Sequence, residues 1–360
     1  MFYFLTELRD VYSYLNIFRY ITFRSGMAAV TTFILCVILG PLFIDACRRK
    51  KMQEKAKRDD APGLDKFQES KEGTPTMGGV FIIGSILISV LLWADLTNIY
   101  VILTLFICTG LAIVGGLDDY IKLTQKKRGL SARTKMIWQI ILAGIVGSVI
   151  YLNPYVSTQL DIPFFKNLVV NLGTFYVVWI IFVVVGSSNA VNLTDGLDGL
   201  AIGCTLMVAI ALAVLSYITG HAQFSQYLLI PYISGAGELT VICAAIIGAS
   251  LGFLWFNCYP ASVFMGDIGS LPLGGMLGVI AICIKKEILL VILGGVFVFE
   301  AVSVIMQVAS FKLTGKRIFK MSPFHHHLQL SGWRESKIIV RFWIVGIILA
   351  IITLSTLKIR

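Results

Sequence analysis

Five aspartates stand beside long apolar stretches, where an ionised carboxylate is costly. Asp118 and Asp119 lie in GGLDDYIK, Asp195 and Asp198 in NAVNLTDGLDGLA, and Asp267 in VFMGDIGS. The last two segments contain no lysine or arginine, so their carboxylates cannot be neutralised locally. We expect these groups either to be solvated separately or to converge and share a cation. Hard oxygen ligands favour Mg²⁺, Mn²⁺ or Ca²⁺, and Mg²⁺ typically binds one or two carboxylates plus substrate phosphate oxygens, as in phosphoryl transfer.

Each aspartate also has a simpler interpretation. An Asp-Asp pair at a helix end is usually solvated, although Asp118 and Asp119 stand at a C-terminal end, where the helix dipole disfavours them. Asp195 or Asp198 could cap the next helix, and Asp267 could cap the helix that follows it. We favour a ligand role for the Asp118–Asp119 pair and a functional role for Asp195 and Asp198, and we leave Asp267 open on its own evidence.

The composition is that of a polytopic membrane protein. Of the 360 residues, 57% are hydrophobic and only 14% are charged, and the mean hydropathy is +0.85. No segment alternates with a period of two, so we expect an all-α protein rather than a barrel. Segments of suitable length predict ten spans, which are 26–44, 77–93, 99–117, 136–151, 175–186, 197–218, 239–256, 271–284, 288–311 and 338–357. We expect the short fifth span to extend upstream.

The basic residues predict an orientation. Three segments, between spans 1 and 2, 3 and 4, and 9 and 10, hold 21 of the 30 lysines and arginines. The positive-inside rule therefore places both termini outside, in a single domain 1–360 whose active-site face comprises cytoplasmic loops 45–76, 118–135, 187–198, 257–270 and 312–337. Lys285 and Lys286 fall outside, against the rule. The net charge of +10 follows from this bias, and no nucleic-acid-binding module is evident.

Further polar motifs fall on the same predicted face. PFHHHLQL contains His325, His326 and His327, which suit phosphate binding or an acid–base role. The alternatives for this run are an ordinary polar loop or a helix start. ESKEGTPTMGG contains Lys71 and Thr76 but lacks the GK[ST] ending of a P-loop, so ATP binding in that mode is not supported. The seven cysteines are scattered singly, which predicts neither a disulfide nor a cysteine metal site.

A polar stripe crosses the ninth span. Glu300, Ser303, Gln307 and Ser310 recur at helical spacing in VFVFEAVSVIMQVASF. Intramembrane carboxylates normally face the bundle interior or a wet cavity, so the stripe could wall a groove that leads to the site. A hydrogen-bonded seam between helices is an equally good interpretation.

Taken together, the motifs resemble those of the polyprenyl-phosphate N-acetylhexosamine-1-phosphate transferases. The resemblance covers nearly the whole chain, and it rests on KEGTPTMGG, GGLDDYIK, GSSNAVNLTDGLDGLA, GFLWFNCYPASVFMGDIGSLPLGG and FKMSPFHHHLQLSGW, in this order. The histidine run favours the muramoyl-pentapeptide branch. That branch transfers phospho-N-acetylmuramoyl-pentapeptide from UDP-N-acetylmuramoyl-pentapeptide to undecaprenyl phosphate with Mg²⁺, giving lipid I and UMP. The resemblance therefore implies an enzyme of the bacterial inner membrane.

The resemblance also implies roles for the matching positions. Asp267 looks like a direct Mg²⁺ ligand with Asp118 alongside, and Asp118 or Asp119 would deprotonate or orient the lipid phosphate. The expected catalytic set is completed by His325. The remaining positions are expected to bind substrate. Those expected to line the nucleotide site are Asn192, Asp195 and Asp198, and those expected to form its nucleoside pocket are Lys71, Asn257, Phe264 and Gln307. Thr76 and Lys135 would hold the phosphates or line the groove, and His326 and His327 would bind the diphosphate or the pentapeptide-bearing part.

Several alternatives remain open at this stage. The lipid phosphate could attack the β-phosphorus directly, which we favour because a phosphate monoester with a second pKa near 6 is largely dianionic at neutral pH. A covalent aspartyl-phosphate intermediate is the other route. Rival functions are a sister transferase that uses UDP-N-acetylglucosamine, a secondary transporter, which would place such groups near the bilayer midplane, and a membrane scaffold. Family resemblance also suggests a homodimer.

Overall fold

The computed structural model describes residues 1–8, 12–50, 52, 71, 73–124, 129–153, 157–163 and 169–358. The predicted basic loops 45–76 and 118–135 are therefore described only in part. The described residues form α-helices that we number in chain order: α1 (Ile21–Arg49), α2 (Gly79–Trp93), α3 (Ile99–Thr124), α4 (Ala132–Leu152), α5 (Phe175–Thr194), α6 (Leu200–Thr219), α7 (Ala222–Tyr227), α8 (Leu239–Asn257), α9 (Asp267–Cys283), α10 (Glu287–Leu293), α11 (Gly295–Thr314), α12 (Phe324–Leu330) and α13 (Glu335–Ser355).

Only short elements complement these helices within the described residues. Strands β1 (Gln159–Asp161) and β2 (Val169–Asn171) form an antiparallel pair in which Leu160 faces Val170. The 3₁₀ helices are Phe2–Leu8, Ser13–Arg19, Ala236–Glu238 and Thr356–Lys358. The expected all-α polytopic architecture is confirmed, because eight described helices are long and apolar enough to cross a membrane, and α2 and α9 are shorter apolar helices.

The fifth and ninth predicted spans differ most from the observed helices, and α3 continues to Thr124, so Asp118 and Asp119 lie within this helix and not at its end. The fifth extends downstream to Thr194 instead of upstream, so most of the predicted loop 187–198 is helical. Its polar residues are accommodated inside the bundle, where the Asn189 side chain exchanges hydrogen bonds with Gln139 of α4. The predicted ninth span is divided at Gly294 into α10 and α11. Consecutive glycines at 294 and 295 favour such a break, since glycine weakens a helix interior.

Helix α9 is the centre of the bundle. All of its residues from Gly269 to Cys283 are buried, and its main neighbours are α3 and α5. The contact with α3 is a contact between backbones, because a Cβ atom at Gly115 would overlap the carbonyl oxygen of Asp267. Asp118 stands less than one turn beyond Gly115 on α3. A glycine thus brings the Asp118–Asp119 pair alongside the first residue of α9.

Lys285 and Lys286, which contradict the charge bias, are not exposed. Both are buried just after α9. Lys285 Nζ donates to Tyr176 Oη at 2.6 Å and to the Ser157 carbonyl, while Lys286 Nζ lies 3.2 Å from a carboxylate oxygen of Asp161. Tyr176 Oη in turn donates to a carboxylate oxygen of Glu287. The two lysines therefore belong to an internal polar network and do not contribute to the surface charge that the positive-inside rule counts.

Candidate active site

Three carboxylates meet where α3 approaches the start of α9. One oxygen from each of Asp118, Asp119 and Asp267 lies within 4.8 Å of the others. Asp118 and Asp119 are buried, and Asp267 is partly exposed. Asp267 follows Asp119 by 148 positions in the sequence, so it is the fold that brings the three carboxylates together. The set consists of hard oxygen donors at the spacing of a single cation, and it fits Mg²⁺.

Two lysines neutralise part of this charge. Lys122 Nζ lies 2.6 Å from Asp118 Oδ2 and 3.1 Å from Asp267 Oδ2, and Lys135 Nζ lies 2.9 and 2.5 Å from the same two oxygens. Lys122 follows Asp118 by four residues on α3, and Lys135 stands in the first turn of α4, which Ser131 caps by accepting from Thr134 N. With three carboxylates and two ammonium groups, the cluster retains one formal negative charge.

Backbone and amide groups fix the individual carboxylates. Asp118 Oδ1 accepts from Leu130 N at 2.7 Å, and Asp119 Oδ2 accepts from Ile268 N at 3.0 Å. Asn192, on the last turn of α5, donates to Asp267 Oδ1 at 2.7 Å. These contacts leave Asp119 Oδ1 as the least engaged oxygen, with Lys122 Nζ at 3.6 Å. The position of Asp119 also requires Gly266, where φ is +75° and a Cβ would crowd Asp119 Oδ2.

A second polar group surrounds Asp198. Lys71 Nζ lies 2.6 Å from Asp198 Oδ1 and 2.6 Å from Glu335 Oε1 of α13, and 5.9 Å from the centre of the Phe264 ring. Asp198 Oδ2 accepts from Ala261 N at 3.0 Å. Asp198 therefore does not cap α6, the simpler interpretation, since the residue before α6 is Gly199 and Asp198 bonds elsewhere. Lys71, Phe264 and Asp198 form one cationic and aromatic group, and its role in binding a nucleoside stays a prediction.

Asn257 holds the backbone next to this group in place. Its side chain accepts from Gly199 N at 2.9 Å and donates to the Val263 carbonyl at 2.8 Å. The segment that contains Thr76 is attached to the same loop, because Phe264 N donates to the Pro75 carbonyl and Gly78 N donates to the Phe264 carbonyl. Thr76 thus lies beside Phe264, with its side chain half-buried.

Asp195 lies between the two polar groups. Its side chain is half-buried and accepts no hydrogen bond from another described residue. Burial, followed by the negative charges of Asp267 and Asp119, raises the pKa of the Asp195 carboxyl to about 8. Asn192, three residues before Asp195, donates to Asp267 Oδ1, so Asp195 lies at the same end of the bundle as Asp267. The roles expected of Asp195 and Asp198 in binding the nucleotide stay predictions.

The three histidines have different environments on α12. His325 is wholly buried, and its Nδ1 lies 3.2 Å from Glu300 Oε2 of α11. His326 Nδ1 lies 2.8 Å from Gln329 Oε1. His327 stacks on Phe324 with ring centres 5.4 Å apart, and its Nδ1 accepts from Lys320 N. The run therefore begins a helix, as one of the alternatives stated, and it does not present three equivalent imidazoles to solvent.

Gln307 of the predicted polar stripe is fully engaged with backbone. Its Oε1 accepts from Ile318 N and Phe319 N, and its Nε2 donates to the Phe319 carbonyl. The stripe of α11 thus fastens the segment that precedes the histidines. The link between helices that the second interpretation of the stripe requires is made by Glu300, whose Oε2 lies 3.2 Å from His325 Nδ1 of α12. The nucleoside role of Gln307 stays a prediction.

Lys122, Ser270, Gly266 and Glu335 are site residues that the sequence-based set omitted. Lys122 had a detectable signal, since Asp118 and Lys122 are four apart on a helix and such pairs face each other. Ser270 donates to the Gly266 carbonyl and accepts from Asn192. Glu335 had no signal, because its partner Lys71 is 264 positions away.

Comparisons with known proteins give a consistent result. Residues 98–285 match the model of glycosyl transferase family 4, and residues 71–83 match signature 1 of the phospho-N-acetylmuramoyl-pentapeptide-transferases. The chain is 53% identical over 346 residues to the phospho-N-acetylmuramoyl-pentapeptide-transferase of Pelobacter propionicus, with 96% of each chain covered. It is 50% identical over 362 residues to that of Solidesulfovibrio magneticus and 52% identical over 360 residues to that of Thermodesulfovibrio yellowstonii, with at least 99% of each chain covered.

Proposed function

We propose a placement of substrates and a course of reaction from one premise: the chain belongs to the phospho-N-acetylmuramoyl-pentapeptide transferases. It is a multi-pass bacterial membrane protein and a transferase. Its reaction joins undecaprenyl phosphate to the phospho-sugar of UDP-N-acetylmuramoyl-pentapeptide, and lipid I and UMP are the products. The observation that carries the placement is the meeting of Asp118, Asp119 and Asp267 beside two lysines.

Asp118 and Asp267 are the residues that would hold Mg²⁺, with Asp119 beside them. Asp118 and Asp267 present oxygens to the centre of the cluster, and the lysine contacts to those oxygens mark the position where positive charge is stabilised. When bound, Mg²⁺ supplies neutralisation of the charge that develops on the diphosphate. The site would also have to accept a multiply anionic substrate, and Lys122 and Lys135 provide the mobile cations for that purpose.

The nucleotide end of the donor is assigned to the group around Asp198. Lys71 with Phe264 offers a cation and a ring face, and Asp198 offers a carboxylate that can accept from N–H groups of a base. The distance along the chain from Asp198 to Asp195 is three residues, so the diphosphate of a donor seated there would extend past Asp195 toward Asp267. His326 and His327, on α12 beside the buried His325, are assigned to the sugar-peptide part.

In the direct route, an oxygen of undecaprenyl phosphate forms a bond to the β-phosphorus while the bond from that phosphorus to the α-phosphate oxygen breaks. The leaving oxygen carries the electron pair away on UMP, so no proton has to be transferred from a dianionic nucleophile. Asp119 has the least engaged oxygen, and we assign it to orient the lipid phosphate and to accept its remaining proton when it arrives as a monoanion. Lys135 would offset charge on the transferred group.

The site faces the cytoplasm of the inner membrane in this proposal. The orientation is supported by the basic bias of the segments on the active-site side and by the cytosolic origin of a sugar nucleotide. The acceptor reaches the site from the bilayer. Its entry is consistent with the exposed apolar side chains of α11, such as Phe299, Ile305 and Val308.

The test is UMP release in detergent with undecaprenyl phosphate as acceptor. UDP-N-acetylmuramoyl-pentapeptide should support release that depends on added Mg²⁺, and UDP-N-acetylglucosamine should not. Equal release from both donors would favour the sister transferase instead. In a second arm, radiolabelled donor is incubated without acceptor, and a phospho-sugar that stays covalently on the protein would overturn the direct route.

A further inference from the structure

A buried acid and a buried imidazole meet next to the loop that contains Gly196. Glu300 of α11 and His325 of α12 are each 0% exposed. Glu300 Oε2 lies 3.2 Å from His325 Nδ1, and the backbone N–H of His325 donates to the same oxygen at 3.4 Å. An isolated ionised carboxylate is very costly to bury, so a carboxyl at this position requires such a partner. A carboxylate oxygen accepts, so a hydrogen on His325 Nδ1 would complete this contact.

The other edge of this imidazole supports the active-site segment. Within the described residues His325 Nε2 has no hydrogen-bond partner, and it abuts Gly196, where an added Cβ would overlap the ring. Gly196 stands directly between Asp195 and the rest of the loop that ends at Asp198. The orientation of the ring therefore determines how closely this loop can approach α12.

We propose that Glu300 is a positioning residue that acts through His325. The carboxylate fixes the rotation of the imidazole, and the imidazole sets the position of the loop 195–198 relative to Asp267. This inference rests on the proposed function, because it assigns the loop to the sugar-nucleotide donor. It revises the role of His325, which supports the donor site from beneath and does not touch the reacting atoms.

The position of this pair predicts an asymmetric kinetic defect. The loop 195–198 would contact the donor, whereas Asp119 of α3 would contact the acceptor. Loss of the Glu300 contact should therefore raise the KM for the donor and leave the KM for undecaprenyl phosphate within twofold. A substitution that merely loosened the helix bundle would affect both KM values or lower the amount of folded protein.

Two substitutions at Glu300 grade the effect. In Glu300→Gln a neutral acceptor of the same length is retained, and the donor KM should rise roughly tenfold. In Glu300→Met the acceptor is lost, and the donor KM should rise on the order of 100-fold. Ser303→Ala is the matched control, since Ser303 is buried one turn along α11 and bonds only to the Glu300 carbonyl among the hydrogen bonds described. It should behave as wild type.

A spectroscopic measurement separates positioning from general structural support. The chain has only four histidines, so ¹⁵N-histidine labelling gives a spectrum that single substitutions can assign. The signals of His325 should be those of a ring protonated on Nδ1, and Glu300→Met should shift them while the signals of His221 remain. Unchanged His325 signals in Glu300→Met would overturn the proposal.

A steric variant tests the same coupling from the other side. Gly196→Ala should raise the donor KM as Glu300→Met does, and the double variant should show no further increase, because both changes disturb one contact. Multiplicative effects in the double variant would contradict the coupling. If the wild-type protein releases no UMP under any of these conditions, the proposed function fails instead, and the histidine spectrum still reports on the Glu300 contact.

Discussion

The two polar regions of this molecule lie at opposite ends of the same helices and are built differently. Helix α9 begins with Asp267 in the active site and ends just before Lys285, about 25 Å away for 17 residues. Helix α5 likewise has Tyr176 at its start and Asn192 at its end. The active-site cluster and the distal network, which we define as Ser157, Asp161, Tyr176, Lys285, Lys286 and Glu287, are therefore connected by rigid elements.

The distal network is closed and balanced. Lys285 and Lys286 are matched in number by Asp161 and Glu287, and the lysines are buried. Another buried pair, Arg24 and Glu238, follows the same rule, with Arg24 1% exposed and its Nη1 2.7 Å from Glu238 Oε2. Such matched charges hold the ends of helices together.

The active-site cluster is open and unbalanced. Its carboxylates outnumber its lysines, and the Lys122 side chain is 42% exposed. An excess of negative charge beside an exposed, movable cation is the arrangement expected for a cluster that exchanges its partners for a ligand. Charge balance and side-chain exposure therefore distinguish a binding site from a structural ion-pair network, even where the residue types are the same.

The largest expected effect comes from replacing a carboxylate of the active-site cluster, with the same replacement in the distal network as the comparison. Asp267→Asn should lower the rate of UMP release by roughly a thousandfold, because it removes a ligand oxygen and the partner of both lysines. Asp161→Asn, the matched change in the distal network, should keep the rate per folded molecule within about threefold. Steady-state UMP assays on detergent-purified protein measure both. Comparable losses would erase the distinction between the two regions.

The buried pair of Arg24 and Glu238 should affect the free energy of unfolding and not the reaction rate. Arg24→Met leaves Glu238 buried without its cation and should destabilise the fold by about 3 kcal/mol. Thermal unfolding in detergent measures the change, and the surviving folded protein should retain its rate. The double variant Arg24→Met/Glu238→Gln removes both charges and should recover part of the loss. No recovery would argue against a charge-pair origin.

A lysine pair gives the next smaller contrast. Lys135→Met should lower the rate by roughly 10- to 100-fold, because a charged hydrogen-bond donor to the transferred group is lost. Lys286→Met should leave the rate of folded protein unchanged and lower its unfolding temperature. Activity and unfolding measured on the same preparations provide the test. A Lys286 variant that is stable yet inactive would assign a catalytic role to the distal network.

The last contrast concerns the dependence of stability on pH. The pKa of Asp195 is about 8 in the fold and about 3.9 in an unfolded chain, so the folded state retains a proton between these values. Stability should therefore fall as pH rises from about 4 to 8 and then level off. Asp195→Asn should remove this contribution and become progressively more stable relative to wild type over that window. Thermal unfolding with a chelator measures it, and parallel curves would contradict the assignment.

The sequence was sufficient to predict the all-α polytopic architecture and the meeting of Asp118 and Asp119 with Asp267. Uncompensated carboxylates next to apolar segments leave few physical alternatives, and Asn192, three residues before Asp195, does bond to Asp267. The partners of these groups were harder to predict. Glu335 pairs with Lys71 across most of the chain, and no local pattern encodes such a contact.

The roles of Gln307 and the histidines were also beyond local patterns. Their spacing places them on one helix or one loop, but the direction of each side chain depends on how α11 and α12 pack. The burial of Lys285 and Lys286 was missed for a related reason. Hydropathy treats a lysine as exposed, whereas here Tyr176 and two carboxylates provide an interior environment for a cationic pair.

The backbone contact at Gly115 has a consequence for inhibitors. Any larger side chain there would push α3 away from Asp267 and separate the carboxylates. A compound that binds to the aspartate cluster therefore meets a target that cannot change shape and keep its activity. Resistance substitutions should instead arise around Lys71 and Glu335, where the Lys71 ammonium contacts side chains, those of Asp198 and Glu335, that a substitution can exchange.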